Sequence, residues 1–268
     1  VVRGLDFEGA GSGLNGIRFL AGGVLHVENC TFNNFDKGIA FEPTGISELF
    51  VSDTVVRNGQ ANATSAGILI KPGAVGSANA SIENVRLLNN QVGLRIEGGT
   101  LATVIRSVAS GNTNNGFIAV ATAGRAATFN LESTESSNNG ANGVRSDLTG
   151  ALIRLSNTLI TNNTGNGLLS NGGGLIVSFG NNSVGGNGVA DLLEPLADGG
   201  LGDGFAEGGN ADFGSHCLWS CLSVLFHRTI IVRKVCNFSG SCSNVRACHT
   251  ICNSNRKSLL SLEKDEVD

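Results

Sequence analysis

The sequence predicts an all-β fold: a single-stranded right-handed parallel β-helix of about seven coils over residues 1–189, followed by an irregular tail. Three observations predict it. A glycine followed by an apolar residue recurs at Gly16-Ile17, Gly38-Ile39, Gly67-Ile68, Gly93-Leu94, Gly116-Phe117, Gly143-Val144 and Gly167-Leu168, at intervals of 22 to 29 residues. Most of these glycines follow an Asn-rich turn, as at Asn33-Asn34, Asn89-Asn90, Asn114-Asn115, Asn138-Asn139 and Asn162-Asn163. Ahead of the turn lies a stretch of alternating apolar residues, first at Leu25 to Phe32 and then in each later unit. Alternation with period two marks strands with one buried face. A unit this small cannot bury that face alone, so successive units must stack.

Aligned coil by coil, the first strand places Val27, Val51, Ile82, Ile105, Leu131 and Leu155 in one inward column. The strand after it places Cys30, Thr54, Val85, Val108, Thr134 and Thr158 in a second. The glycine strand supplies a third, Ile17, Ile39, Ile68, Leu94, Phe117, Val144 and Leu168. Two residues on come Phe19, Phe41, Ile70, Ile96, Ala119, Ser146 and Ser170. Asn at the turns tolerates left-handed backbone and can bond to its equivalent one coil away. Variation in coil length falls in the segments 42–47, 71–79 and 121–128. A leucine-rich repeat is excluded because no L-x-x-L-x-L frame recurs, and a β-propeller blade needs about 40 residues.

Composition narrows the class further. The chain has 39 Gly, 3 Pro, no Met and no Tyr, and a net charge of −4. No basic stripe occurs before residue 228, which argues against a nucleic-acid partner. No apolar run approaches the roughly 18 residues of a membrane span. The chain starts at Val1 without an initiator, which reads as a processed product or a fragment, and no signal peptide is visible in it.

The segments Gly13-Leu14-Asn15-Gly16-Ile17-Arg18-Phe19-Leu20 and Leu25 to Phe32 resemble secreted bacterial β-helix repeat proteins within the pectin-lyase-like superfamily, over about residues 3–189. The resemblance, to proteins of unknown activity, implies a secreted or cell-surface β-helix; the absence of the enzymes' signatures then favours a non-catalytic scaffold, one that contacts polysaccharide or a cell-surface glycan. The superfamily's enzymes carry either a Ca²⁺-holding carboxylate cluster with a proton-abstracting Arg, or Asn-Thr-Asp, Asp-Asp, Gly-His-Gly and Arg-Ile-Lys segments. None of those four segments is present, and residues 61–190 hold only Glu83, Glu97, Glu132, Glu135 and Asp147 as carboxylates. His26 is the only histidine of the repeats, which leaves few acid–base options. No cofactor and no metal site is expected. The alternatives are a degenerate or unrecognised polysaccharide lyase or glycoside hydrolase, and an inactive fragment.

One constellation survives alignment. Glu28, Glu83, Arg106 and Glu132 fall at one outward position, which makes Glu83, Arg106 and Glu132 the candidate ligand-binding residues. The competing reading is a solvent-facing charge ladder worth at most about 1 kcal/mol per pair. Arg18, Arg95 and Arg145 share another outward position with Ala40, Leu69, Ile118 and Leu169, a mixed face without a carboxylate. His26 reads as a surface residue and Cys30 as a small core side chain.

After Val189 the repeat stops. Residues 190–215 read as a Gly/Asp-rich linker. Residues 216–268 hold six of the seven Cys, three of the four His and the only Trp. The Cys spacings of 3, 14, 5, 5 and 3 intervening residues lack the close pairs of a zinc site. Two readings remain for this tail: a disulfide-bonded module, or a stretch that is not a native continuation, through a shifted frame, and is disordered.

Overall fold

In the computed structural model, residues 1–193 are described, apart from Ala61 and Ala123. They wind through eight coils of a parallel β-solenoid, with no helix among the described residues. The first face is a sheet of eight parallel strands: Val2–Arg3, Val24–Glu28, Ile46–Ser52, Ser77–Glu83, Thr100–Ile105, Ala127–Glu132, Ala151–Ser156 and Leu175–Ser178. Short strands from Val55–Arg57 to Ser183–Gly185 make the second face. Those from Ala66–Ile70 to Leu192–Leu193 make the third. In the first two coils the second and third faces are one continuous strand, Asp6–Phe19 and Thr31–Phe41, where three separate strands per coil were expected. Thr31–Phe41 pairs with Val55–Arg57 at its start and with Ala66–Ile70 at its end, which joins the two faces into one sheet.

The inward columns form the core. Val27, Val51, Ile82, Leu131 and Leu155 pair coil to coil and are buried, as are Ile39, Ile68, Leu94, Phe117, Val144 and Leu168. Phe7 stacks on Phe32, and Phe19 on Phe41, each at 4.6 Å between ring centroids. The fifth coil corrects the alignment by one residue. Val104, not Ile105, pairs with Ile82 and Leu131 and is fully buried, while Ile105 pairs with Glu83 and Glu132. Likewise Ser107 occupies the inward place read for Val108, and its Oγ accepts from the Val85 amide at 3.1 Å. A slip of one residue exchanges the two faces of a strand. Val104 and Ile105 suit the core equally, so the neighbouring coils decide between them.

The glycine signature marks close approach between coils. A Cβ on Gly116 would lie 2.0 Å from Ser136 Oγ and 2.8 Å from Gly143 O, so any side chain there would push the coils apart. The eighth coil, beyond the seven expected, lacks the glycine. Gly167 N and Leu168 N donate to Ala190 O and Asp191 O, which puts Asp191 at the glycine's place.

Both strand-joining turns use left-handed backbone. Asn29, Asp53, Asn84, Arg106, Ser133 and Asn157 repeat φ values of 48° to 52° after the first face, and Asn34, Asn58, Asn89, Asn138 and Asn162 repeat it after the second. Beside the second turn runs a buried amide ladder. Asn112 Nδ2 donates to Asn139 Oδ1 (2.9 Å), Asn139 to Asn163 (2.8 Å), Asn163 to Asn187 (2.8 Å), and Asn187 to Asp191 Oδ1 (2.8 Å). A shorter ladder runs the other way, from Asn166 to Asn142 (3.0 Å) and from Asn142 to Asn115 (2.8 Å). The expected coil-to-coil Asn bonds are thus present, in these two opposed columns and in an exposed one from Asn89 to Asn58 and Asn58 to Asn33.

The longer connections are tied down individually. Buried Asp36 accepts from Lys37 Nζ (2.6 Å), Asn62 Nδ2 (2.9 Å) and Ser65 Oγ, which fastens the 58–65 loop. Burial pushes the Asp36 carboxyl up, but the hydrogen bonds from Lys37, Ser65 and Asn62 outweigh it and hold the group below the usual carboxylate range. Between the third and first faces, Arg125 reaches across two coils to donate to Gly73 O (2.7 Å) and Gly76 O. The expected linker 190–215 and Cys-rich tail 216–268 lie outside the described residues, except that the solenoid runs on to Leu193, past the boundary expected at 189.

Candidate functional site

From the third to the seventh coil the first face has the longest strands, and pairing aligns their outward side chains into rows along the solenoid. The central row is His26, Phe50, Ser81, Thr103, Asn130, Arg154 and Val177. Strands about 4.8 Å apart put one such group on every coil. His26 and Phe50 stack at 4.7 Å, and Phe50 is exposed. Arg154 Nη1 donates to Asn130 Oδ1 at 3.2 Å, and Asn130 Nδ2 lies 3.5 Å from Thr103 Oγ1. Apolar Val24, Leu101 and Leu175 are exposed in the row on one side.

The row on the other side holds Glu28, Glu83 and Glu132 in shared register, as aligned from sequence. Arg106 departs from it. It sits one residue further on, in the left-handed turn, with Ile105 taking its expected place. From that turn its guanidinium pairs with Glu83, and both side chains are about half exposed (63% and 47%). Toward Glu132 only the Arg106 backbone turns, N donating to Glu132 O at 3.1 Å. Arg3 likewise pairs with Glu28. Exposed pairs of this kind contribute at most about 1 kcal/mol.

The third face carries carboxylates beside its arginines, where the sequence alignment read none. Ala40, Leu69 and Ile118 point outward and yet are buried, and Leu69, Ile118, Ala66, Val92 and Val120 form a second apolar cluster. Two residues along, Glu97, Val120 and Asp147 pair coil to coil. Glu97 accepts from Arg95 Nε (2.9 Å) and Lys71 Nζ (3.2 Å), Asp147 from Arg145 Nε (2.8 Å), and Glu42 from Arg18 Nε (2.7 Å). The signal was present as Arg-x-Glu and Arg-x-Asp, since residues two apart in a strand share a face. Glu97 and Asp147 stand two coils apart, roughly 10 Å by strand spacing, just outside the 6.5–9.5 Å or so of an inverting glycosidase pair. Both Glu97 oxygens are engaged by cations, and Asp147 Oδ1 accepts from Arg145 and from Asn171 Nδ2.

Among the described residues no three His, Cys, Asp or Glu side chains converge where they could hold a metal ion. Nor is any helix long and apolar enough to cross a membrane. Comparison with family models, with curated proteins and with solved structures returns no match to this chain, and what stands is the parallel β-solenoid itself.

Proposed function

We propose that the protein is a non-catalytic scaffold, working outside the cell, that contacts polysaccharide through the outer surface of its first face. The observation that carries this reading is the central row. It places an aromatic stack, hydroxyls, an amide and a guanidinium in line on consecutive coils. Sugar sites combine apolar surface with a few oriented polar groups, and both are present here, with Glu83, Arg106 and Glu132 as the charged border. Binding to a flat row tolerates low affinity per contact, because successive coils add contacts to one chain.

Affinity electrophoresis of the full chain through gels containing soluble polysaccharides tests the reading. Retardation is expected in at least one gel and should fall in Thr103→Ala and Asn130→Ala. Unchanged mobility across the panel, or variants retarded as strongly as the parent, would overturn it.

A further inference from the structure

We infer that the ligand of the first face is a neutral polysaccharide lying parallel to the solenoid axis along the central row; this rests on the reading above. Direction follows from register. Groups that can bond a sugar recur from His26 to Arg154 over five coil steps, roughly 24 Å at about 4.8 Å per step, and no comparable line runs across the strands. Across a strand, the neighbours of Asn130 are Thr128 and Glu132; along the axis they are Thr103 and Arg154, both of which it meets by hydrogen bond. A chain along the axis meets the edges of the stacked His26 and Phe50 rings and the exposed Leu101 with its apolar surface, while its hydroxyls meet Ser81, Thr103 and Asn130.

Neutrality follows from charge. The surface bears Glu28, Glu48, Glu83 and Glu132 against Arg3, Arg106 and Arg154. Arg3 and Arg106 are paired with Glu28 and Glu83, while Arg154, hydrogen-bonded to the neutral Asn130 amide, keeps its charge, so the face carries four carboxylates against three guanidiniums. Glu48 and Glu132 are exposed on either side of the row. A polymer with a carboxylate on each sugar would bring its charges well within the Debye length, about 8 Å at physiological salt, of these two. Like charges so placed oppose binding. A neutral chain meets no such opposition and keeps the hydrogen bonds.

The experiment compares full-length protein in gels of neutral glucan, xylan or mannan with gels of polygalacturonate, each at low and high salt. Neutral oligosaccharides of increasing length are then titrated by calorimetry. Expected are retardation by a neutral polymer that salt leaves unchanged, and affinity that climbs with length until the chain covers the row. Phe50→Ala and Asn130→Ala, checked by circular dichroism for intact β-structure, should each weaken the longest oligosaccharide about ten-fold, equal to about 1.4 kcal/mol. Salt-sensitive retention by polygalacturonate alone would overturn neutrality and leave the scaffold reading standing. Affinity already at its limit with a disaccharide would overturn the axial placement. Retention by no polysaccharide would overturn both readings together.

Discussion

At the scale of single residues, buried polar atoms separate into those that the stack satisfies and those that it does not. Asn139 Nδ2 donates to Asn163 Oδ1, Ala109 O and Ser136 Oγ, and its Oδ1 accepts from Asn112. Asn139→Ala strands several buried partners at once, and a loss of about 3 kcal/mol is expected, read from the urea midpoint. Ser146 Oγ, in the core column, is buried without a hydrogen-bond partner. Ser146→Ala removes an unmet group and should leave stability unchanged or raise it by up to about 1 kcal/mol; a clear loss would mean that the hydroxyl is bonded in solution. Asp36 supplies a pH signature. Its folded pKa lies below its unfolded one, so its contribution is present above the ordinary carboxylate range and is lost as pH falls through the folded value. Asp36→Asn should be less stable at neutral pH and lack that part of the acid decline, which denaturation midpoints across pH 2 to 6 (roughly the carboxylate range) would record.

At the scale of elements, the corner between the third and first faces shows how unequal turns are reconciled. Gly98-Gly99 makes the shortest connection there and leaves a notch that Arg125 crosses to reach Gly73 O and Gly76 O. Gly99 has φ +91°, and a Cβ on it would come within 1.9 Å of the Arg125 guanidinium. Arg125→Ala should cost about 2 kcal/mol, as for hydrogen bonds to a charged donor. Gly99→Ala should cost more, through backbone strain and displacement of the guanidinium together. Because the two losses share a cause, the double variant should be less destabilised than the sum of the single ones; strict additivity would show that the clasp is not formed.

At the scale of the whole molecule, each coil is stabilised chiefly by its two neighbours, as in any solenoid. Ile82 is fully buried between Val51 and Val104. Ile82→Ala should therefore cost about 3 kcal/mol and loosen the coils on both sides. Amide exchange should be slowest in the third to sixth coils and fastest in the first, where Val2, Phe7, Ile17 and Phe19 are only partly buried. Uniform protection from end to end would contradict a nearest-neighbour stack.

Much of this was legible before any coordinates. The spacing of the glycine–apolar pairs set the pitch, period-two alternation set most inward columns, and Asn at the turns announced both left-handed backbone and the ladders. These are properties of short segments repeated, and a repeat displays them several times over. The tertiary structure alone decided what depends on neighbours 22 to 31 residues away. It chose Val104 over Ile105, and so moved Arg106 off its strand and into a turn beside Glu83. It placed Asp191 at the position that the glycine holds in the other coils, adding an eighth coil. It folded the 58–65 loop onto Asp36. In each case local pattern left two arrangements nearly equal, and the hydrogen bonds and packing offered by the adjoining coil favoured one.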